Sequence, residues 1–79
     1  MQNDDQKRNH DPVLMEKIAT RVRVLRTGRG WSQEVMAELS GLHRNYIGYI
    51  ERSEVNVSLC QLDKFASVFG MTLHELINF

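Results

Sequence analysis

Ser40-Gly41-Leu42-His43-Arg44-Asn45-Tyr46-Ile47-Gly48-Tyr49-Ile50-Glu51-Arg52 is the stretch on which the reading of this chain turns. It reads as a glycine turn followed by a short helix. At roughly 100° per residue, Arg44, Asn45, Gly48, Tyr49 and Arg52 fall within one arc of about 140°. Ile47 and Ile50 fall on the other side, with His43 between them and Tyr46 at the edge. One face is therefore apolar, and the other carries two Arg, an Asn, a Tyr and a Gly. Those polar side chains suit phosphate oxygens and base edges, and glycine permits close approach. A plain solvated face on a small helical bundle is the alternative, and this helix alone does not separate the two.

Upstream, Trp31 precedes Ser32, a good N-cap. Val35, Met36 and Leu39 form the apolar stripe of a short helix over about 32–39, and Ala37 is small enough for another helix to approach. Trp31 and Met36 are spaced for a hydrophobic staple. Gly41 ends that helix, and the next spans about 43–51. Further back, Asp11-Pro12 is a helix start, Asp as cap and Pro at the first position. Leu14, Ile18, Val22 and Leu25 then recur at helical spacing, giving a helix over about 12–28 that Gly28 and Gly30 close. Residues 1–11 read as a flexible polar arm.

Downstream, Arg52–Val57 is a loop. Ser58 with Gln61 is a capping box, opening a helix with Leu59, Leu62, Phe65, Ala66 and Phe69 on its apolar stripe before Gly70. Thr72 with Glu75 is a second box and opens a last helix carrying Leu73, Leu76 and Ile77, with Phe79 at the end. No strand pattern or repeat occurs. The expectation is an all-α, compact five-helix domain over 12–79. Its second and third helices are too short to be stable alone, so packing must hold them.

Seventy-nine residues make one small domain. Its core has little to spare, so pairing with a second copy would help it. The net charge of zero counts mildly against binding a polyanion through bulk charge. The distribution matters more. Lys17, Arg21, Arg23, Arg26 and Arg29 crowd one segment, whereas from Leu59 onward only Asp63, Lys64 and Glu75 are charged. A single Cys makes no internal disulfide, and Cys60 on a helix stripe reads as core. No apolar run approaches a membrane span, and the polar N-terminus lacks a signal-peptide segment, so a cytoplasmic location is expected. His10, His43 and His74 lack metal-site spacing, and Gly28-Arg29-Gly30 follows a helix rather than a strand. No enzyme activity, metal, cofactor or small-molecule ligand is expected.

A short helix, a glycine turn and a second short helix form a helix-turn-helix. The residues go further. Arg23-Val24-Leu25-Arg26, Arg29-Gly30-Trp31-Ser32-Gln33-Glu34, Ser40-Gly41-Leu42, Tyr46-Ile47-Gly48 and Ile50-Glu51-Arg52 closely resemble the phage-repressor/Cro (XRE) family of DNA-binding domains, which are lambda-repressor-like in fold. The resemblance covers about 13–77. Within the family, His43-Arg44-Asn45-Tyr46-Ile47 followed by Ile50-Glu51-Arg52 looks most like controller proteins of restriction–modification systems.

That resemblance implies roles residue by residue. Gln33 is expected to reach a phosphate and to brace the recognition helix. Arg44 and Asn45 match base-reading positions; Arg suits guanine O6 and N7, and Asn suits adenine N6 and N7. Tyr49 matches a third reading position, with a thymine methyl, a phosphate or a water as its partner. Tyr46 either touches the DNA backbone or buttresses the helix. Arg52 and Asn56 match phosphate contacts. Arg26 and Glu51 match an ion pair tying the first helix to the end of the third. Gly48 serves either close approach to DNA or close packing of the second and third helices. Chemistry and family together place a dimer surface at Met71, Ile77 and Phe79, with Leu73 and Leu76 in the monomer core. The implied partners are double-stranded DNA and a second copy. The implied function is a sequence-specific transcriptional regulator of, for instance, a restriction–modification operon; an antitoxin or other protein-interaction module on the same fold is the alternative.

Overall fold

The structure, a computed structural model, describes residues 11–79. Most of the expected N-terminal arm, residues 1–10, lies outside the described residues. Helix α1 spans Pro12–Gly28, and the Asp11 carboxylate accepts from the backbone N–H of Val13 and Leu14 at 3.0 and 3.1 Å. Its buried face is Met15, Ile18, Ala19 and Val22. This corrects the expected stripe at its first member. Leu14 is 41% exposed, and Met15, which shares the helical face of Ile18 and Val22, takes its place.

Helix α2 spans Gln33–Ser40, one residue later than expected because Ser32 caps it from outside, its hydroxyl accepting from Val35 N–H at 3.1 Å. Trp31 stacks on Phe69, with ring centroids 5.8 Å apart. Gly41 then makes the turn at φ 74°, which lets Leu42 N–H reach back to the carbonyl of Ala37 at 3.1 Å. Helix α3 spans Arg44–Glu51. His43, which has no role in the sequence reading, is its N-cap, Nδ1 accepting from Asn45 N–H at 3.0 Å. Helices α4, Leu59–Val68, and α5, Leu73–Leu76, each begin with the expected capping box.

The element that matters most, α3, is held from two sides. It packs on α2 and on α1, while α4 packs on α2 and α5 on α4. Ile47 and Ile50 drive its inner face into a core shared with Met36, Val22 and Phe65, all essentially without solvent exposure. Fully burying side chains of this size contributes about 1.5–3 kcal/mol each, enough to fix a helix of eight residues that would not form alone. Cys60 is exposed rather than part of the core.

The arginines of α1, and Arg29 just past its end, are committed largely to the fold. Arg21 donates to the carbonyls of Leu76 and Glu75 at 2.9 and 3.0 Å. Arg23 donates to the carbonyl of Glu51 at 3.1 Å, and Arg29 to that of Phe69 at 2.6 Å. These carbonyls lie at or just past the C-terminal ends of α5, α3 and α4, where no intrahelical partner remains and the helix dipole is negative. Three members of the basic crowd, Arg21, Arg23 and Arg29, are thus helix C-terminal clamps.

Candidate nucleic-acid interface

Because Ile47 and Ile50 point inward, the opposite face of α3 points out. Arg44, Asn45, Tyr49 and Arg52 are exposed, and together with Gln33 and Gly48 they line one open groove. Arg44 forms an ion pair through Nε with Glu34, the second residue of α2. Glu34 is ionised below the usual range, first because a backbone N–H of its own residue bonds it and next because Arg44 does. Arg52 is paired with Glu54 through Nε and Nη2 at 3.1 and 3.3 Å, and its guanidinium lies 5.4 Å over the Tyr49 ring. The Glu54 hydrogen bond is the first cause of a raised pKa at Arg52.

Glu51 lies behind this face. Its side chain is 4% exposed and accepts three N–H groups. Arg26 supplies two, Nε to Oε2 at 2.6 Å and Nη2 to Oε1 at 3.0 Å; Gln33 supplies the third, Nε2 to Oε1 at 3.1 Å. The remaining Arg26 nitrogen donates to the carbonyl of Trp31 at 2.7 Å. One carboxylate therefore ties α1, the start of α2 and the end of α3 together. Gln33 meets α3 through Glu51 and still has a second amide hydrogen for another acceptor.

Tyr46 is half-buried, and its hydroxyl donates to Gln61 Oε1 at 2.6 Å; the Asn56 carbonyl lies 3.5 Å away. Gln61 also accepts from Ser58 N–H in the α4 capping box. In this structure Tyr46 buttresses the loop between α3 and α4. Asn56 lies exposed in that loop. At Gly48, a Cβ would meet Arg52 Nη1 at 3.0 Å, and its next nearest neighbours are atoms of the same guanidinium. Arg52, not a helix backbone, fills the space that glycine leaves, so close packing against α2 is not what requires it.

In and beside α5, Leu76 is buried and Leu73 and Met71 are half-buried against the core. Ile77 and Phe79 are 37% and 53% exposed. Phe79 sits beside α1, with the Lys17 ammonium 5.9 Å over its ring.

Sequence reasoning did not find Glu34, Glu54, Gln61 and His43 as partners of the face. Glu54 is two residues from Arg52 and Gln61 belongs to a legible capping box, so both left a local signal. Glu34 left none, since its pair with Arg44 exists only once α2 and α3 are docked.

An all-helical domain with a helix-turn-helix at its centre, whose second helix buries two isoleucines and exposes Arg, Asn, Tyr and Arg, defines a class of protein by itself. Residues 22–76 match the helix-turn-helix family HTH_3. The chain belongs to that family of transcriptional regulators. It is 42% identical over 65 residues to the control protein C.SmaI of Serratia marcescens, covering 82% of this chain and 77% of that one. It is 35% identical over 64 residues to a hypothetical transcription factor of Neisseria meningitidis, covering 81% of this chain and 60% of that one. Among solved structures it resembles the restriction–modification controller protein C.AhdI of Aeromonas hydrophila, at 45% identity and a TM-score of 0.74 over 78% of this chain and 94% of that one. It also resembles the controller C.Esp1396I, described as a tetramer in complex with its natural 35 base-pair operator, at 25% identity and a TM-score of 0.73 over 87% of this chain and all of that one. Among the described residues, no helix is long and apolar enough to cross a membrane.

Proposed function

We propose that the chain is a sequence-specific DNA-binding regulator that acts as a homodimer and inserts α3 into the major groove of an operator. The observation that carries this reading is the division of α3: Ile47 and Ile50 are locked in the core while Arg44, Asn45, Tyr49 and Arg52 stand together in the open. A helix fixed on one side and polar on the other fits the major groove, which is wide enough to admit it. Arg44 and Asn45 read base edges, Tyr49 makes a further contact, and Gln33, Arg52 and Asn56 meet phosphates. Tyr46 spends its one hydroxyl hydrogen on Gln61 and so buttresses α3 rather than donating to a phosphate.

One such helix reads only a few base pairs, so two copies bind half-sites about one DNA turn apart. Ile77 and Phe79, exposed just after α5, supply the apolar contact, with Met71 just before it. Likeness to C.SmaI and C.AhdI supports a restriction–modification operon as the target. The test is selection of binding sites from random DNA, followed by fluorescence anisotropy on the selected and scrambled duplexes. Tighter binding to the selected duplex by at least about a thousandfold is expected; equal binding to both contradicts the proposal.

A further inference from the structure

We infer that Glu34 is a specificity-determining residue: by holding Arg44 at Nε it presents the two terminal nitrogens to guanine and opposes their diversion to phosphate. This rests on the DNA-binding reading above. Arg44 is the first residue of α3 and Glu34 the second of α2. The two helices are fixed relative to each other by Met36 and Ile47, both fully buried, so the core sets the separation of the pair. A guanidinium has five N–H donors, one on Nε and four on the terminal nitrogens. The Glu34 contact uses the Nε edge. The terminal nitrogens stay available for O6 and N7 of one guanine, the bidentate pattern that guanine alone offers in the major groove.

Arg52 provides the contrast on the same face. Glu54 takes its Nε and Nη2 together, side-on, and the guanidinium carbon lies 5.4 Å from the centre of the Tyr49 ring. That arrangement must be broken for Arg52 to give a phosphate its full fork, whereas the Arg44–Glu34 pair survives base reading intact.

In water the Arg44–Glu34 pair contributes little, since both side chains are more than half exposed. Docking changes this. As the groove excludes water the effective dielectric falls and the same pair strengthens. A carboxylate close to the DNA backbone is also repelled by it unless its charge is matched. Glu34 also has neutral partners in its own backbone N–H and Ser32, but Arg44 alone gives it a counter-charge. A register in which Arg44 swings out to a phosphate leaves Glu34 without that counter-charge against a polyanion. The wrong complex is therefore penalised, which is how specificity is usually sharpened beyond added attraction.

Binding-site selection and anisotropy on wild type, Glu34→Gln, Arg44→Ala and the double variant test this, with thermal melts as the folding control. Glu34→Gln is expected to melt like wild type and to bind scrambled DNA about threefold or more tighter. Its preference for guanine at one position per half-site should fall about tenfold. Starting from Arg44→Ala, adding Glu34→Gln should tighten binding to all sequences alike, so the two changes are not additive. A wild type that selects a site while Glu34→Gln leaves both its base preference and its scrambled-DNA affinity unchanged overturns the role of Glu34 alone, as do additive effects in the double variant. A wild type that selects no site overturns the DNA reading and this inference with it.

Discussion

Glu51 shows how one side chain can look like part of a binding face and belong to the fold. Its position near the boundary of the α3 faces, together with family resemblance, pointed inward, and the side chain sits at 4% exposure under three N–H donors. Removing it leaves Arg26 partly buried without its counter-charge. Glu51→Ala should therefore lose about 3–5 kcal/mol of stability in urea unfolding. Gln33→Ala, which removes one hydrogen bond to that carboxylate, should lose about 1–3 kcal/mol. An unchanged midpoint in Glu51→Ala would refute the structural role. Arg44→Ala should instead leave stability alone, cost about 1–3 kcal/mol on the selected site and relax one base position. Glu34 offers a pH test. Its folded pKa is depressed, so its interaction with Arg44 is present above the ordinary value of 4.5 and is lost as pH falls through the lowered one. The NMR titration midpoint of its carboxyl should lie below 4.5, and in Arg44→Ala it should rise but stay below 4.5, because the backbone N–H bond is the larger cause.

At the scale of the elements, the helix ends were the most legible feature. Asp11, Ser32, Ser58 and Thr72 are all short polar residues set just before an apolar period, and each is a cap in the structure. His43 escaped because histidine is not among the usual capping types. The C-terminal ends follow one pattern: after α1, α2 and α4 a glycine at φ 73–74° lets the next N–H reach a carbonyl five residues back. After α3 the same bond runs from Glu54 N–H to the Tyr49 carbonyl at 2.8 Å, but the left-handed residue is Ser53 at φ 61°. That conformation costs an L side chain roughly 1 kcal/mol. Ser53→Gly should therefore raise Tm by several degrees, at about 4–8 °C per kcal/mol for a domain this size; a fall would show that Ser53 contributes something the backbone does not reveal. Gly48→Ala tests the neighbouring turn. Its Cβ meets only the movable end of Arg52, so helix propensity should dominate and stability rise by up to about 1 kcal/mol. Affinity for DNA should fall as Arg52 is displaced.

At the scale of the molecule, periodicity was enough for the five helices of the described residues, but not for what joins them. The first stripe was misplaced by one residue at Leu14, since an apolar residue beside the core face satisfies the same period as one on it. The arginines of α1 and Arg29 after it read as a basic zone because sequence shows their charge and not their targets. In the fold, Arg21, Arg23 and Arg29 reach the ends of α5, α3 and α4, and those contacts span 28 to 55 residues. A zero net charge is then less surprising in a DNA-binding reading. The candidate face carries two arginines of its own, each beside a glutamate, so affinity for arbitrary DNA is expected to be modest and discrimination to rest on contacts made in register. The proposed dimer rests on the exposed Ile77 and Phe79: Ile77→Asp with Phe79→Ala should shift sedimentation toward a monomer while leaving the helical circular-dichroism spectrum unchanged.

Selection of binding sites from random duplexes, coupled to native mass measurement of the complex, tests the central claim most directly. Two related half-sites with centres about 34 Å apart, each occupied by one chain and each losing a guanine preference in Arg44→Ala, are the predicted result. Enrichment of no motif, or a motif unaltered by Arg44→Ala, would contradict it.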